Sequence, residues 1–283
     1  MQVNIVDKTF AKMSALIART VTGRPVTIDI SAGKTFRGIC QGSSGAGKSV
    51  LLTTLICALS KCSYRQIIVF DDKYISFLEL LPRIYIFDEQ VRYNDVLSSL
   101  VGELKRRLTA LKELGKKELT PQDGYYHIDI IVDEASSYLC PEDTAITKAM
   151  RDERLRLLCT IGQLGRCVGF SIILATQVAS AKNIDTRLRT LLSDVKLGLR
   201  SGSLESTKFL TGDRYEEAPM ELLPVNPPGL MYAMTNDEST GNHFIKCKVI
   251  YTPPEVVERI ARDTAHYKKP LTFLDAESED YAF

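Results

Sequence analysis

The stretch Gly42-Ser43-Ser44-Gly45-Ala46-Gly47-Lys48-Ser49 constrains the fold of this chain more than any other. It fits G-x-x-x-x-G-K-[ST] and stands between a run that reads as a buried strand (36–40) and one that reads as a helix (49–59). Glycines let the main chain curl until successive N–H groups face one point, and the positive end of the following helix faces the same point. The loop therefore predicts a nucleotide phosphate site. Lys48 would reach the β- and γ-phosphates, the Ser49 hydroxyl would meet Mg²⁺, and the stretch from Gly42 to Val50 as a whole would bind the nucleotide.

The rest of the chain repeats the strand–helix alternation. Runs 66–70, 128–132 and 169–175 read as buried strands, with weaker ones at 26–30 and 83–87 and later ones at 196–200, 229–234 and 244–251. Helical spacing covers 10–20, 93–114 (Val96, Leu100, Leu104, Leu108, Leu111), 143–165 and 255–262. The pattern predicts an α/β fold: a mostly parallel sheet with helices on both faces and extra C-terminal strands. We expect a helix and short strand over 1–35, a core over 36–265 and a loose polar tail over 266–283.

Sheets of this class bind ligands at the carboxyl ends of their strands. Besides the glycine loop, those ends carry Asp71-Asp72, Asp133-Glu134 and Thr176-Gln177. Asp133 would hold Mg²⁺, Glu134 would polarise an attacking water as general base, and the Gln177 amide would sense the γ-phosphate or orient that water. The expected ligands are ATP and Mg²⁺, and the expected reaction is ATP hydrolysis.

Composition narrows the partners. Lys and Arg number 36 against 35 Asp and Glu, which excludes a small DNA-coating protein and leaves a local basic patch or pooled charges from several subunits. Seven cysteines without Cys-x-x-Cys spacing, and three histidines, argue against zinc and for a reducing compartment. The longest apolar stretch, about 50–59, is too short to span a bilayer, and the start of the chain lacks a signal-peptide pattern. We expect a cytoplasmic protein that reaches a membrane only through a partner.

In order and spacing, these segments resemble the FtsK/SpoIIIE branch of the FtsK–HerA motor ATPases. The carriers are GSSGAGKSV at 42–50, Asp71-Asp72-Lys73 where the family has Asp-Pro-Lys, Glu103-Leu104-Lys105-Arg106-Arg107 on a helix, and Gly165-Arg166 leading into Ala175-Thr176-Gln177. The resemblance implies a RecA-like P-loop core, a homo-oligomeric ring, a hexamer, with ATP at subunit interfaces, and double-stranded DNA as the commonest cargo. It also implies a trans-acting arginine, for which Arg106 and Arg107 come first and Arg187, Arg189 and Arg200 second.

In resembling motors the segment after the Gln177 strand lines the pore, so Lys182, Arg187 and Arg189 are the expected DNA contacts, gripping phosphates without reading sequence. Arg151, Arg154 and Arg156 are interleaved with Asp152 and Glu153 and read as surface ion pairs. Two departures stand out: Val178-Ala179 replaces the Arg-Pro of DNA-translocating members, and residues are inserted at about 141–157. The readings that follow are a DNA translocase of a mobile element with a membrane or relaxosome-like partner, a type VII secretion-like export ATPase, and a nucleotide-dependent assembly or coupling protein.

Overall fold

Ten strands join one sheet in the computed structural model of the chain, which describes residues 12–139, 147–177 and 184–274. The strands are β1 (Ser14–Thr20), β2 (Pro25–Asp29), β3 (Arg37–Gln41), β4 (Arg65–Phe70), β5 (Tyr85–Phe87), β6 (His127–Val132), β7 (Phe170–Thr176), β8 (Val195–Leu199), β9 (Leu230–Met234) and β10 (Ile245–Val249). Their order is β2-β1-β10-β9-β8-β3-β7-β6-β4-β5. From β8 to β5 every pairing is parallel, and from β8 to β2 every pairing is antiparallel.

The parallel half consists of near-continuous apolar runs because both of its faces are covered: every residue of β4, β6 and β7 is buried. On one face lie α1 (Lys48–Ser60) and α7 (Pro254–Thr264), through Leu51, Leu55, Val257 and Ala261 with Ile67, Val69 and Ile173. On the other lie α2 (Tyr93–Glu113), α3 (Ala135–Leu139), α4 (Lys148–Leu164), α5 (Thr186–Leu191) and α6 (Leu204–Thr211), through Leu100, Leu104, Leu158, Leu188 and Leu210 with Ile68, Ile130 and Ile172.

The helix expected over 10–20 is instead β1. A register shift between Leu16 and Ala18 in its pairing with β2 buries Ala15, Ile17 and Ala18 together, which blurs the period-two signal of a strand. Through β10 this N-terminal segment is part of the core sheet rather than a lead-in to it. The start of the expected loose tail is also packed. The Gln66 side chain donates to Tyr267 O (2.8 Å) and accepts from Lys269 N (2.9 Å), and Leu271 is buried. Residues 275–283 lie outside the described residues.

Four buried arginines tie the ends of elements together. Arg65 pairs with Asp129 at 2.6 Å, both fully buried, and donates to Ile30 O and Lys34 O. Arg83 donates to Ser60 O, Cys62 O and Arg65 O. Arg154, expected on the surface, is fully buried and bonds Asn94 Oδ1 and the carbonyls of Gln90 and Tyr138. Its neighbours Arg151 and Arg156 do form exposed pairs, with Asp152 and Glu153. Arg107 is the fourth.

Candidate nucleotide site

The glycine loop leaves β3 at the carboxyl edge of the parallel strands and enters α1. Its base is pinned from both neighbouring strands: Gly42 N donates to Thr176 O (3.1 Å) and Ser43 N to Arg200 O (2.9 Å). A third tie comes from the turn before β9, where Gly229 N donates to Ala46 O (2.9 Å). Gly47 needs to be glycine twice over. Its φ is +103°, and a Cβ there would sit 3.1 Å from Gly229 Cα.

Among the described residues, the N–H groups of Ser44, Gly45 and Gly47 donate to no protein acceptor, and those of Lys48 and Ser49 open a helix whose first turn has no side-chain cap. Five main-chain N–H groups at the N-terminus of a helix are therefore left without a side-chain acceptor among the described residues. This is the chemistry of a polyphosphate cradle. Ser49 is exposed beside it, and Val50 is half-buried against the α1 core.

Lys48, from α1, and Glu134, from the end of β6, meet across the cradle. Lys48 Nζ donates to Glu134 Oε2 at 2.7 Å and to Asp133 O at 3.2 Å. Glu134 also accepts from Thr176 Oγ1 (3.0 Å), from the Ser136 hydroxyl, and from Gln177 N to both carboxylate oxygens (3.1 Å). Burial works to raise the Glu134 carboxyl, but the Lys48 charge and these hydrogen bonds outweigh it and hold the group below its usual range. Glu134 is thus an ionised, oriented carboxylate.

Asp133, one residue earlier and just past the end of β6, is the opposite case. Burial pushes it up to about 6, against the pull of Lys48 and with help from Asp71 and Glu134, and its Oδ1 has no hydrogen-bond partner. An unsatisfied buried carboxylate oxygen beside a phosphate cradle suits a divalent cation, so Ser49 and Asp133 fit the expected Mg²⁺. Behind the loop, burial pushes the Cys40 thiol up to about 12, which leaves it an inert apolar group.

The adjacent carboxylates at the end of β4 have structural partners. Asp71 accepts from Lys73 N and Ser76 N, and Asp72 from Gln90 Nε2, Tyr93 OH and Ser137 Oγ. Asp72 thereby fastens α3, and with it the segment carrying Glu134, to the start of α2.

The candidate arginines separate. The Arg107 side chain is 5% exposed, pairs with Glu103 at 2.7 Å and donates to Tyr126 O and Val168 O just ahead of β6 and β7. So enclosed, it cannot serve a neighbouring subunit, and this corrects the expectation. Arg106 shares Glu103 but is 62% exposed. Arg187 is exposed on α5, and Arg189 is held by Phe209 through its carbonyl (3.2 Å) and its ring. Lys182, like Val178 and Ala179, lies outside the described residues. Arg200 lies against the glycine loop of its own chain, with Nη1 3.3 Å from Ser43 Oγ. Sequence reasoning missed Ser136 and Gly229 as parts of the site; the Pro-Pro-Gly turn at 227–229 was the one local signal for the latter.

The model of the FtsK/SpoIIIE family matches residues 6–164. The ESX secretion system protein EccC of Thermomonospora curvata is 27% identical over an alignment of 228 residues, which takes in 70% of this chain and 16% of EccC, so this chain spans a small part of that relative. Among solved structures, the pCW3 conjugation coupling protein TcpA, in its monomer form with ATPγS, gives a TM-score of 0.72 at 18% identity, covering 93% of this chain and 73% of that one. The cytoplasmic domain of the Thermomonospora curvata type VII secretion ATPase EccC gives 0.70 at 22% identity, covering 91% and 32%. At these identities the structural likenesses show a shared fold.

Proposed function

The chain belongs to the FtsK/SpoIIIE family, and from that premise we propose that it is an ATP-hydrolysing motor that moves double-stranded DNA through a ring of identical subunits, a hexamer, in the transfer, mobilisation or packaging of a mobile element. The observation that carries the ATPase part is the meeting of Lys48 and Glu134 at 2.7 Å beside the free amides of the glycine loop.

In this reading the loop N–H groups and Lys48 take the β- and γ-phosphates, and Lys48 exchanges Glu134 for phosphate oxygen. Glu134, freed of its cation and still aligned by Gln177 N, accepts the proton of the attacking water. Mg²⁺ on Ser49 and Asp133, when bound, supplies charge neutralisation at the phosphates. Arg106, exposed on α2, is the residue to enter a neighbour's site. Lys182, Arg187 and Arg189, repeated around a ring, would give a near-neutral chain a basic channel, and pooled phosphate contacts would make DNA binding salt-sensitive.

A second reading, protein export, is favoured by one observation: the 27% identity to EccC, named as an ESX secretion protein. The cargo is separated by ATPase turnover measured against protein concentration at low salt, with duplex DNA and with an unstructured polypeptide. The DNA-motor reading expects a cooperative rise with concentration and stimulation by duplex. Stimulation by polypeptide alone would replace it with export, and absence of turnover in every condition would remove the motor assignment. Among the described residues no helix is long and apolar enough to cross a membrane, so docking at one would fall to a membrane or relaxosome-like partner.

A further inference from the structure

We propose that Arg200 is a nucleotide contact within its own subunit, its guanidinium holding the terminal phosphate of a bound triphosphate and linking that phosphate to α6. The proposal rests on the nucleotide reading above and adds a residue and a route to it.

Strand β8 runs parallel to β3, so its carboxyl end delivers Arg200 alongside the glycine loop. The main chain is locked there: Arg200 O accepts both Ser43 N and Ser43 Oγ at 2.9 Å. The side chain folds back over the same residue, with Nη1 3.3 Å from Ser43 Oγ. The guanidinium thus lies within one small side chain of the phosphate cradle.

Little holds the Arg200 side chain. Arg37, Arg65, Arg106, Arg107 and Arg214 each have a carboxylate partner at 2.6–2.9 Å. Among the described residues Arg200 has none, and its one hydrogen bond is a long contact to a neutral hydroxyl. A half-buried arginine with four uncommitted N–H donors, beside a cluster of free amides, has the chemistry of an anion receptor. A γ-phosphate offers oxygens to it that a diphosphate lacks.

The next residue connects this position to α6. Ser201 N donates to Met220 O (3.3 Å), and Ser201 Oγ shares a hydrogen bond with Thr207 Oγ1 (3.1 Å) on α6. Thr207 in turn donates to Glu221 (2.6 Å). A shift of Arg200 toward phosphate would pull on this chain, so α6 would report whether the site holds a triphosphate or a diphosphate.

The test is equilibrium binding of fluorescent ATPγS and ADP, with Mg²⁺, to isolated subunits kept below their assembly concentration as checked by sedimentation. Arg200→Ala should weaken ATPγS by about tenfold or more, the scale of one charge-assisted hydrogen bond, and leave ADP within about twofold. Arg200→Lys should recover part of the loss, and Arg156→Ala, which removes only an exposed pair on α4, should change neither. Unchanged ADP affinity doubles as the check that the variant folds. Equal weakening of both nucleotides, or no weakening of ATPγS, would overturn the assignment and leave the nucleotide reading standing. Wild-type protein that binds neither nucleotide would overturn the nucleotide reading itself.

Discussion

Lys48 Nζ donates to Glu134 Oε2 at 2.7 Å, so the cation placed to meet the phosphates and the carboxylate placed to prime water hold each other. Both tasks cannot be done while that pair is closed. Glu134 therefore competes with phosphate for Lys48, and replacing it with glutamine should act on binding and chemistry in opposite directions. We expect Glu134→Gln to bind triphosphate as tightly as wild type or up to about tenfold more tightly, while turnover falls by about a hundredfold or more, the usual scale of a lost general base. Glutamine can still accept from Thr176 and from Gln177 N, so the loop should keep its shape. Single-turnover hydrolysis with a parallel binding titration reads both effects. Undiminished hydrolysis would remove Glu134 as the base.

Arg106 and Arg107 are adjacent in sequence, and their substitution by alanine should have different consequences. Arg107 bonds Glu103 and two carbonyls in a buried setting. Its removal leaves those acceptors without their donor, a loss of about 3 kcal/mol in stability. Arg106 makes an exposed pair with Glu103, and its loss should change stability by less than about 1 kcal/mol. If Arg106 completes a neighbour's site, its alanine variant should nevertheless lose assembly-dependent turnover. Denaturant unfolding of each variant checks the first contrast and ATPase concentration dependence the second. An Arg107→Ala protein as stable as wild type would contradict the role of Arg107 as a buried tie between α2 and the sheet.

Much of this contrast was hidden from the sequence for a geometric reason. One step along a helix turns a side chain by about 100°, so neighbouring arginines face different surroundings, and which one meets the ends of β6 and β7 depends on packing across the sheet. Arg154 was hidden in the same way, in a charge-rich helix whose carbonyl partners lie in α3 and the segment before α2. The glycine loop and the strands ending in Asp133-Glu134 and Thr176-Gln177 were legible because their signals are local: an apolar run, then polar residues at its exposed end. β1 was not, because its bulge erased the alternation that marks a strand. Arg200 could be placed against the loop only once the sheet order put β8 beside β3.

His127 should make the protein acid-sensitive. It is buried at the start of β6, and burial first, then the charges of Arg65 and Arg107, hold its imidazole well below the usual range. The folded chain keeps it neutral, whereas the unfolded chain protonates it below a pH of about 6.5. The stability it protects is present above that value and is lost as pH falls, by about 1.4 kcal/mol per unit, until the folded-state group itself titrates. The ring meets Tyr64 edge-on at 6.0 Å between centroids, a contact phenylalanine can keep. We expect His127→Phe to flatten the stability profile between pH 6.5 and 5 relative to wild type, measured by urea unfolding. Parallel profiles for the two proteins would show that another group sets the acid limit.

Two glycines of the same loop should respond unequally to alanine, because one has room for a Cβ and the other does not. Gly45 has φ +76° and nothing within 4 Å of a built Cβ, so alanine there meets only the backbone cost of the left-handed region, about 1–2 kcal/mol. Gly47 has φ +103°, and its Cβ would fall 3.1 Å from Gly229 Cα and 3.2 Å from Gly229 N, both main-chain atoms that cannot rotate away. To admit alanine the turn before β9 must move, which strains the bond from Gly229 N to Ala46 O and shifts the amides that face the phosphates. We therefore expect Gly45→Ala to weaken nucleotide binding modestly, by about tenfold or less, at the scale of that backbone cost. Gly47→Ala should abolish measurable binding and lower stability by about 2–4 kcal/mol, the sum expected of backbone strain and a steric clash. Calorimetric titration with ATPγS and thermal unfolding of the two variants decide the matter. Equal effects at the two positions would mean that the tie between the glycine loop and the β9 turn does not set the shape of the cradle.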